Sequence, residues 1–311
     1  MKIVFFGTPD YVLPVLSAIH KKFVTGPGVS PIVAVVTASP KPVGRRQILT
    51  YSPIDKWAHE HKIPIFYRAK DFLEGRIEAD FGVLASYGEI IPPGVINSFP
   101  KGILVIHPSL LPKFRGASPI PAAIINGETK TGVTIFKMDE KVDHGKIISQ
   151  FKEDILPDDN GETLRNRLFE KSADVLTELI EPYLRNKIVP RVQDESEATF
   201  TKITKKDDGF IKLEDFATSL RGDSSEATEI ERKLRAFYPW PGVWTKVKVI
   251  GNSEQRIEKR LKILKAHLEK YSLSPIGYKL VLDEVQLEGK NPVSWKQFNE
   301  AYPNLAARSY F

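Results

Sequence analysis

Four apolar runs most constrain the fold of this chain: Lys2–Phe6, Pro31–Thr37, Asp80–Ser86 and Ile103–Ile106. None alternates apolar with polar residues, as a strand with one wet face must. Continuous apolar strands are buried on both faces, and that arrangement belongs to parallel sheets covered by helices. Helix signals lie between the runs. Thr8-Pro9-Asp10 offers a capping hydroxyl, a proline where no N–H is needed and an acid suited to the helix dipole. Helical spacing follows through Val12, Val15, Leu16 and Ile19, with Pro14 either kinking the helix or delaying its start. Ser52-Pro53 and Ser118-Pro119 open further helices, Ile63–Tyr67 is a further strand, and a long helix is expected from Glu162 to about Arg185. The fold class is therefore α/β with a mostly parallel sheet. Gly132–Met138 and Ile147–Ile155, close in sequence, are expected to pair antiparallel.

At 311 residues the chain is long for one core, so two domains are expected. The character changes near Val189. Residues 189–205 are polar and without helical period, and read as an extended linker after a domain at 1–188. Residues 206–311 hold short β-type runs, Val243–Ile250, Leu261–His267 and Lys279–Val285, around a helical stretch at Ala227–Phe237. That pattern suggests a small β-barrel or sandwich.

The absence of cysteine excludes a disulfide scaffold, a thiolate nucleophile and a Cys-based zinc site. No HExxH occurs, and His59 and His61 sit two apart on a helix, so no metal is expected. GxGxxG and Walker loops are absent as well. The opening apolar run is too short for a signal peptide, and no stretch reaches the ~18 apolar residues of a membrane span, so a cytoplasmic protein without membrane contact is expected. A net charge of +6 permits an anionic partner without requiring one.

His107 ends the run Ile103–Ile106 and is followed by Pro108. Ligands of open α/β sheets bind at the carboxyl ends of strands. A histidine there is placed to act as a general base near neutral pH, or else to cap the loop. Asp143, in "MDEKVDHGKII" after the next strand, is placed to reach the same edge and orient the imidazole, or else to form a turn. Asp139 ranks below it, and His144 reads as exposed turn. Ser109, Leu110, Leu111 and Pro112 could wall a flat ligand and offer backbone groups at its edge, or serve as a rigid connector. Lys41, Arg45 and Arg46 surround Gly44 in a long loop of the kind that binds ligands, or else that simply lies solvated on the surface. Arg256, Lys259, Arg260, Lys262 and Lys265 cluster farther on, where alternate side chains of a strand could meet phosphates. From Lys206 onward there are 18 Lys and Arg against 15 Asp and Glu, so that signal is local.

Taken together, "FFGTPDYVLPVL", "PVGRRQILTYSPI", "ASYGEIIPPGVI", "HPSLLPKFRGASPI", "GVTIFKMDEKVDHGKII" and "RAFYPWPGVWT" resemble the methionyl-tRNA formyltransferases, in order and over nearly the whole chain. The resemblance implies a Rossmann-like catalytic domain followed by an OB-like β-barrel. It implies transfer of formyl from 10-formyltetrahydrofolate to methionyl initiator tRNA by a monomer that needs no metal. His107 and Asp143 match the family's catalytic pair. Ser109–Pro112 match its folate segment, and the Arg45 loop matches the element that enters the tRNA acceptor stem. One position departs: the family usually has asparagine two residues before the histidine, where this chain has Val105. That asparagine donates to the oxyanion, and losing such a donor costs ~10²–10³ in rate. Three alternatives remain: a 10-formyltetrahydrofolate hydrolase, a formyltransferase for another amine such as an amino sugar, and a non-catalytic tRNA- or folate-binding homologue. "RAFYPWPGVWT" and the basic loop argue against the first two, and only Val105 favours the third.

Overall fold

A computed structural model describes residues 1–26, 29–44, 46–221, 225–250, 256–270 and 277–303. They form two compact units. The first comprises residues 1–119, 130–154 and 165–201, and the second residues 120–129, 155–164 and 202–311.

In chain order the elements are β1 (Ile3–Gly7), α1 (Leu13–Phe23), β2 (Ile32–Val36), β3 (Lys41–Val43), β4 (Ile48–Thr50), α2 (Pro53–Glu60), β5 (Ile65–Phe66), α3 (Ala69–Glu74), β6 (Phe81–Ala85), α4 (Pro93–Asn97) and β7 (Ile103–His107). There follow β8 (Arg115–Gly116), α5 (Pro119–Ile125), β9 (Lys130–Lys137), β10 (Ile147–Asp154), α6 (Gly161–Leu184) and β11 (Phe200–Thr201). The remaining elements are α7 (Leu213–Arg221), α8 (Ser225–Ala236), β12 (Val243–Ile250), β13 (Arg256–Lys270), β14 (Tyr278–Leu287), β15 (Val293–Ser294) and α9 (Trp295–Ala301).

The first unit is built on a sheet of order β10-β9-β7-β6-β1-β2-β5. The strands from β7 to β5 pair parallel, whereas β9 and β10 run antiparallel. The apolar runs form this parallel core. Ile3 to Phe6 of β1 and Ile103 and Leu104 of β7 have no exposed surface, although neighbours along a strand point to opposite faces. Parallel pairing brings the ends of β1, β2, β6 and β7 to one edge, with His107 at the end of β7.

Local chemistry explains the helix starts. Ser52 caps α2, its hydroxyl accepting from the Asp55 N–H at 3.0 Å. Pro14 stands in the first turn of α1, so the helix proper begins at Leu13 after a single 3₁₀ turn at Asp10–Val12. Thr8, expected to cap this helix, does not. Its hydroxyl accepts from the Ala38 N–H at 3.2 Å and donates to the Tyr87 carbonyl at 3.4 Å, tying the ends of β1, β2 and β6 together.

The second unit holds an antiparallel sheet of order β12-β13-β14-β15, the β domain expected after the α/β domain. Helices α7 and α8 pack on each other and on this sheet. Phe216, Ile230, Leu261, Ile263, Leu282 and Val285 are buried there. Among the described residues no helix is long and apolar enough to cross a membrane.

Burial on both faces of the first sheet makes a test. Ile103→Ala and Leu104→Ala, on opposite faces of β7, should each cost about 2–5 kcal/mol in urea unfolding. A sheet with one wet face would spare one of them.

Candidate active site

His107 is buried, with its ring between two acceptors. Nε2 lies 2.9 Å from the carbonyl of Phe114, and Nδ1 lies 3.5 Å from Oδ2 of Asp143. A carbonyl only accepts, so in the neutral ring Nε2 carries the proton and Nδ1 turns a lone pair toward the carboxylate. That explains a separation longer than an ordinary hydrogen bond. Burial lowers the pKa of His107 below the usual 6.5, while Asp143 and the Phe114 carbonyl pull it back up. Burial thus favours the neutral ring, and a proton arriving on it finds an acceptor at each nitrogen.

Asp143 reaches His107 by a different path from the one expected. Because β9 runs antiparallel to β7, its last residue, Lys137, pairs with Leu104 at the start of β7, roughly 10 Å of strand short of His107. The loop 138–146 climbs back along the sheet. Its base is closed by the Lys137 N–H on the Lys146 carbonyl at 2.9 Å and the Met138 N–H on the Ile103 carbonyl at 2.8 Å. Gly145 makes the closure possible, since a Cβ there would stand 1.8 Å from the Lys137 carbonyl oxygen. At the tip Asp143 adopts φ +47°, and its Oδ2 accepts from the Gly116 N–H at 2.7 Å. Asp139 is taken by His144, whose Nδ1 stands 2.6 Å from its Oδ2. His144 is thus half-buried and paired, not a free turn residue.

Ser109 to Pro112 follow, with Leu111–Pro112 in cis. The backbone groups of Ser109 and Leu111 are satisfied inside the chain. Ser109 N–H donates to the His107 carbonyl at 2.9 Å, and the Ser109 carbonyl accepts from the Thr134 hydroxyl at 2.7 Å. Leu111 N–H donates to Thr134 Oγ1 at 3.0 Å, and its carbonyl accepts from Gln150 Nε2 at 3.0 Å. The segment is therefore a rigid rim, with Leu110 and Pro112 half-buried and Leu111 buried. Thr134 pairs with His107 across β7 and β9, so one hydroxyl joins the rim to the strand that carries the histidine. Val105, two residues before His107 on the same face, lies in an apolar cluster with Leu111, Phe136 and Ile147 and carries no polar atom toward the site.

The segment expected as a linker is laced into the first unit. Arg191 and Ile147 exchange two backbone hydrogen bonds of 2.8 Å, and β11 pairs with β8. Between these ties Arg115, 2% exposed, donates to Gln193 Oε1 and to both carboxylate oxygens of Glu195. The Phe114 N–H donates to Thr199 Oγ1 at 2.8 Å. None of Thr134, Gln150, Arg115 or Gln193 carries a local sequence signal. Their roles depend on partners tens of residues away.

The basic residues fall in several places. Lys41 and Arg46 stand exposed on and beside the hairpin β3–β4, with Val43, Ile48 and Leu49 also exposed. Arg45 lies outside the described residues, as does the side chain of Arg256. Along β13, Lys262 is exposed, and Arg260 lays its guanidinium over Trp244 at 4.3 Å. Lys259 takes the opposite face, that of buried Leu261 and Ile263. The cluster read from the sequence is thus divided between two faces.

A folded pKa below the unfolded value means that unfolded His107 binds more protons under acid conditions. Its stabilising contribution is complete above pH 6.5 and is lost as pH falls below that value. Urea unfolding midpoints should fall more steeply as pH drops below 6.5 for the wild type than for His107→Asn. Equal slopes would show that His107 is not held neutral.

Residues 1–180 match the family described as formyl transferase, and residues 224–277 match the formyl transferase C-terminal domain. The methionyl-tRNA formyltransferase of Chloroflexus aurantiacus is 39% identical over 255 residues, which cover 79% of this chain and 76% of that protein. Among solved structures, WlaRD, a sugar 3N-formyl transferase crystallised with dTDP and 5-N-formyl-THF, superposes with a TM-score of 0.66 at 20% identity, covering 94% of this chain and 99% of that one. The methionyl-tRNA formyltransferase from Clostridium thermocellum gives a TM-score of 0.59 at 18% identity, covering 92% and 98%. The two structural matches speak to the fold, and the sequence match, with the buried histidine at the carboxyl edge, places the chain in the methionyl-tRNA formyltransferase family.

Proposed function

We propose that the chain transfers formyl from 10-formyltetrahydrofolate to the α-amino group of methionyl initiator tRNA, acting as a cytoplasmic monomer. Residues 1–188 serve as the catalytic domain together with the segment laced into it up to Thr201, residues 202–205 as the connection and 206–311 as a tRNA-binding domain. The observation that carries this reading is a buried His107 with an acceptor opposite each ring nitrogen, its burial favouring the neutral ring. A general base needs that combination: unprotonated before the reaction and stabilised once protonated.

In this reading the amine displaces the Phe114 carbonyl from Nε2, and the ring proton moves to Nδ1, facing Asp143. The amine nitrogen attacks the formyl carbon, whose C=O pair moves onto oxygen, and Nε2 takes the proton that the amine loses. Collapse of the oxyanion breaks the bond to N10 of the folate. The proton passes from His107 to that nitrogen, and tetrahydrofolate leaves. Ser109 to Pro112 form the wall beside the folate. Val105 offers no hydrogen to the oxyanion, so the protonated imidazole is its nearest stabiliser. Lys41, Arg45 and Arg46 meet tRNA phosphates on the first unit, with the exposed Val43, Ile48 and Leu49 against nucleobases. Arg256, Arg260 and Lys262 meet phosphates on the second, and Lys259, on the opposite face of β13, does not.

His107→Ala and Asp143→Asn should each lower turnover by at least ~10² in an assay following labelled formyl into formyl-Met-tRNA. Val105→Asn should raise turnover by up to ~10²–10³ with little change in folate KM, while lowering stability by about 1–3 kcal/mol. Label released as formate would indicate a hydrolase. No loss in either of the first two variants would remove that residue from the chemistry.

Neutralising Lys41 and Arg46 together should raise KM for tRNA and leave that for folate in place. It should also flatten the salt dependence of tRNA binding, by ~1 unit of log–log slope for each phosphate that these two side chains neutralise. Equal effects on both substrates would contradict the assignment.

A further inference from the structure

Asp143 holds a left-handed backbone, which a non-glycine residue keeps only when its surroundings over-determine it. The surroundings here converge on one side chain. Gln193 is 5% exposed, and its Nε2 donates to the carbonyl of Asp143 at 2.9 Å and to that of Gly145 at 2.8 Å. Its Oε1 accepts from Arg115 Nε at 3.1 Å and Nη2 at 2.9 Å. Two donors and two lone pairs are all an amide has, so every capacity is used. The orientation is unambiguous, because Arg115 only donates and the carbonyls only accept.

The same amide touches both sides of the contact that matters. Asp143 lies on one side. On the other, Arg115 is followed in β8 by Gly116, whose N–H holds Asp143 Oδ2 at 2.7 Å. We infer that Gln193, gripped by Arg115, is a positioning residue that sets the Asp143 carboxylate against His107. This rests on the catalytic role proposed above for that pair. The position calls for a planar group with two donors and an acceptor at this reach. Glutamate has no donor, lysine and arginine no acceptor, and asparagine is one methylene short. Arg115 is itself fixed by Glu195 at 2.6 and 3.0 Å, and the Ile147–Arg191 and β8–β11 ties hold the segment from both ends. Without the amide, the carbonyls of Asp143 and Gly145 lose this donor and the loop is free to leave the left-handed turn, carrying the carboxylate with it.

Asp143 is the charged group that acts on His107. Arg115, Glu195, Asp139 and His144 stand behind it, around Gln193 and in the 139–144 loop. Since Asp143 raises the pKa of His107, its displacement should lower that pKa further. The test uses Gln193→Met, which keeps the length, and Gln193→Glu, which keeps an acceptor for Arg115, each alone and with Asp143→Asn. Formyl-transfer kinetics and an NMR titration of the His107 ring, assigned by its loss in His107→Gln, are the readouts. Each single variant should lower kcat ~10–100-fold with KM for both substrates within ~3-fold. Adding Gln193→Met to Asp143→Asn should cost less than ~3-fold more. The His107 titration should move to lower pH in Gln193→Met, as in Asp143→Asn. A full second loss in the double variant, or an unmoved titration with a normal kcat and only a lowered melting temperature, would overturn the inference. If Gln193→Met does not fold, Gln193→Glu carries the kinetic comparison. A normal rate in Asp143→Asn would sink the catalytic reading alone, and the titration would still judge Gln193.

Discussion

Burial of His107 between two acceptors governs the first unit. Desolvation keeps the ring neutral, while the Phe114 carbonyl and the Asp143 carboxylate favour the protonated form. The balance of these opposed effects depends on where two loops stop. Moving Asp143 away leaves desolvation unopposed on that side. Moving Phe114 away opens Nε2. The surrounding structure reads as the means of fixing those two loops.

The loops are fixed by side chains that join segments remote in sequence. Thr134 and Gln150 tie the rim at Ser109 and Leu111 to the antiparallel strands β9 and β10. Thr199 holds the Phe114 N–H, and Arg115 and Gln193 join the tip of the 138–146 loop to β8. Each buried polar group in this set has its partner, as a dry interior demands. The antiparallel turn at β9 matters for the same reason. It sends the chain away from the site edge and obliges a loop with a left-handed Asp143 and a sterically required Gly145 to bring it back.

The basic surface shows how strand geometry sorts residues that are neighbours in sequence. Lys259 and Arg260 are adjacent yet point to opposite faces of β13, and Arg260 is engaged with the ring of Trp244. By contrast, the hairpin β3–β4 leaves both cationic and apolar side chains in solvent.

What the sequence determined by itself was whatever depends on short-range pattern. Unalternating runs such as Ile103–Ile106 can be buried only in a sheet covered on both faces. Ser52 caps its own helix three residues away, and Pro14 delays one. His107 after the last apolar residue of β7 already places an imidazole at a ligand edge. The motifs around it carried the family. Only the tertiary structure decided that Thr8 ties strand ends in place of capping, that Asp139 belongs to His144, and that residues 191–201 return to the site. The same holds for Gln193 completing a four-bond amide with Arg115, Asp143 and Gly145. The physical reason is common to all of these. A hydrogen bond is satisfied by whichever partner the packed chain brings within about 3 Å, and for these groups that partner is set by the register of strands and loops far away in sequence.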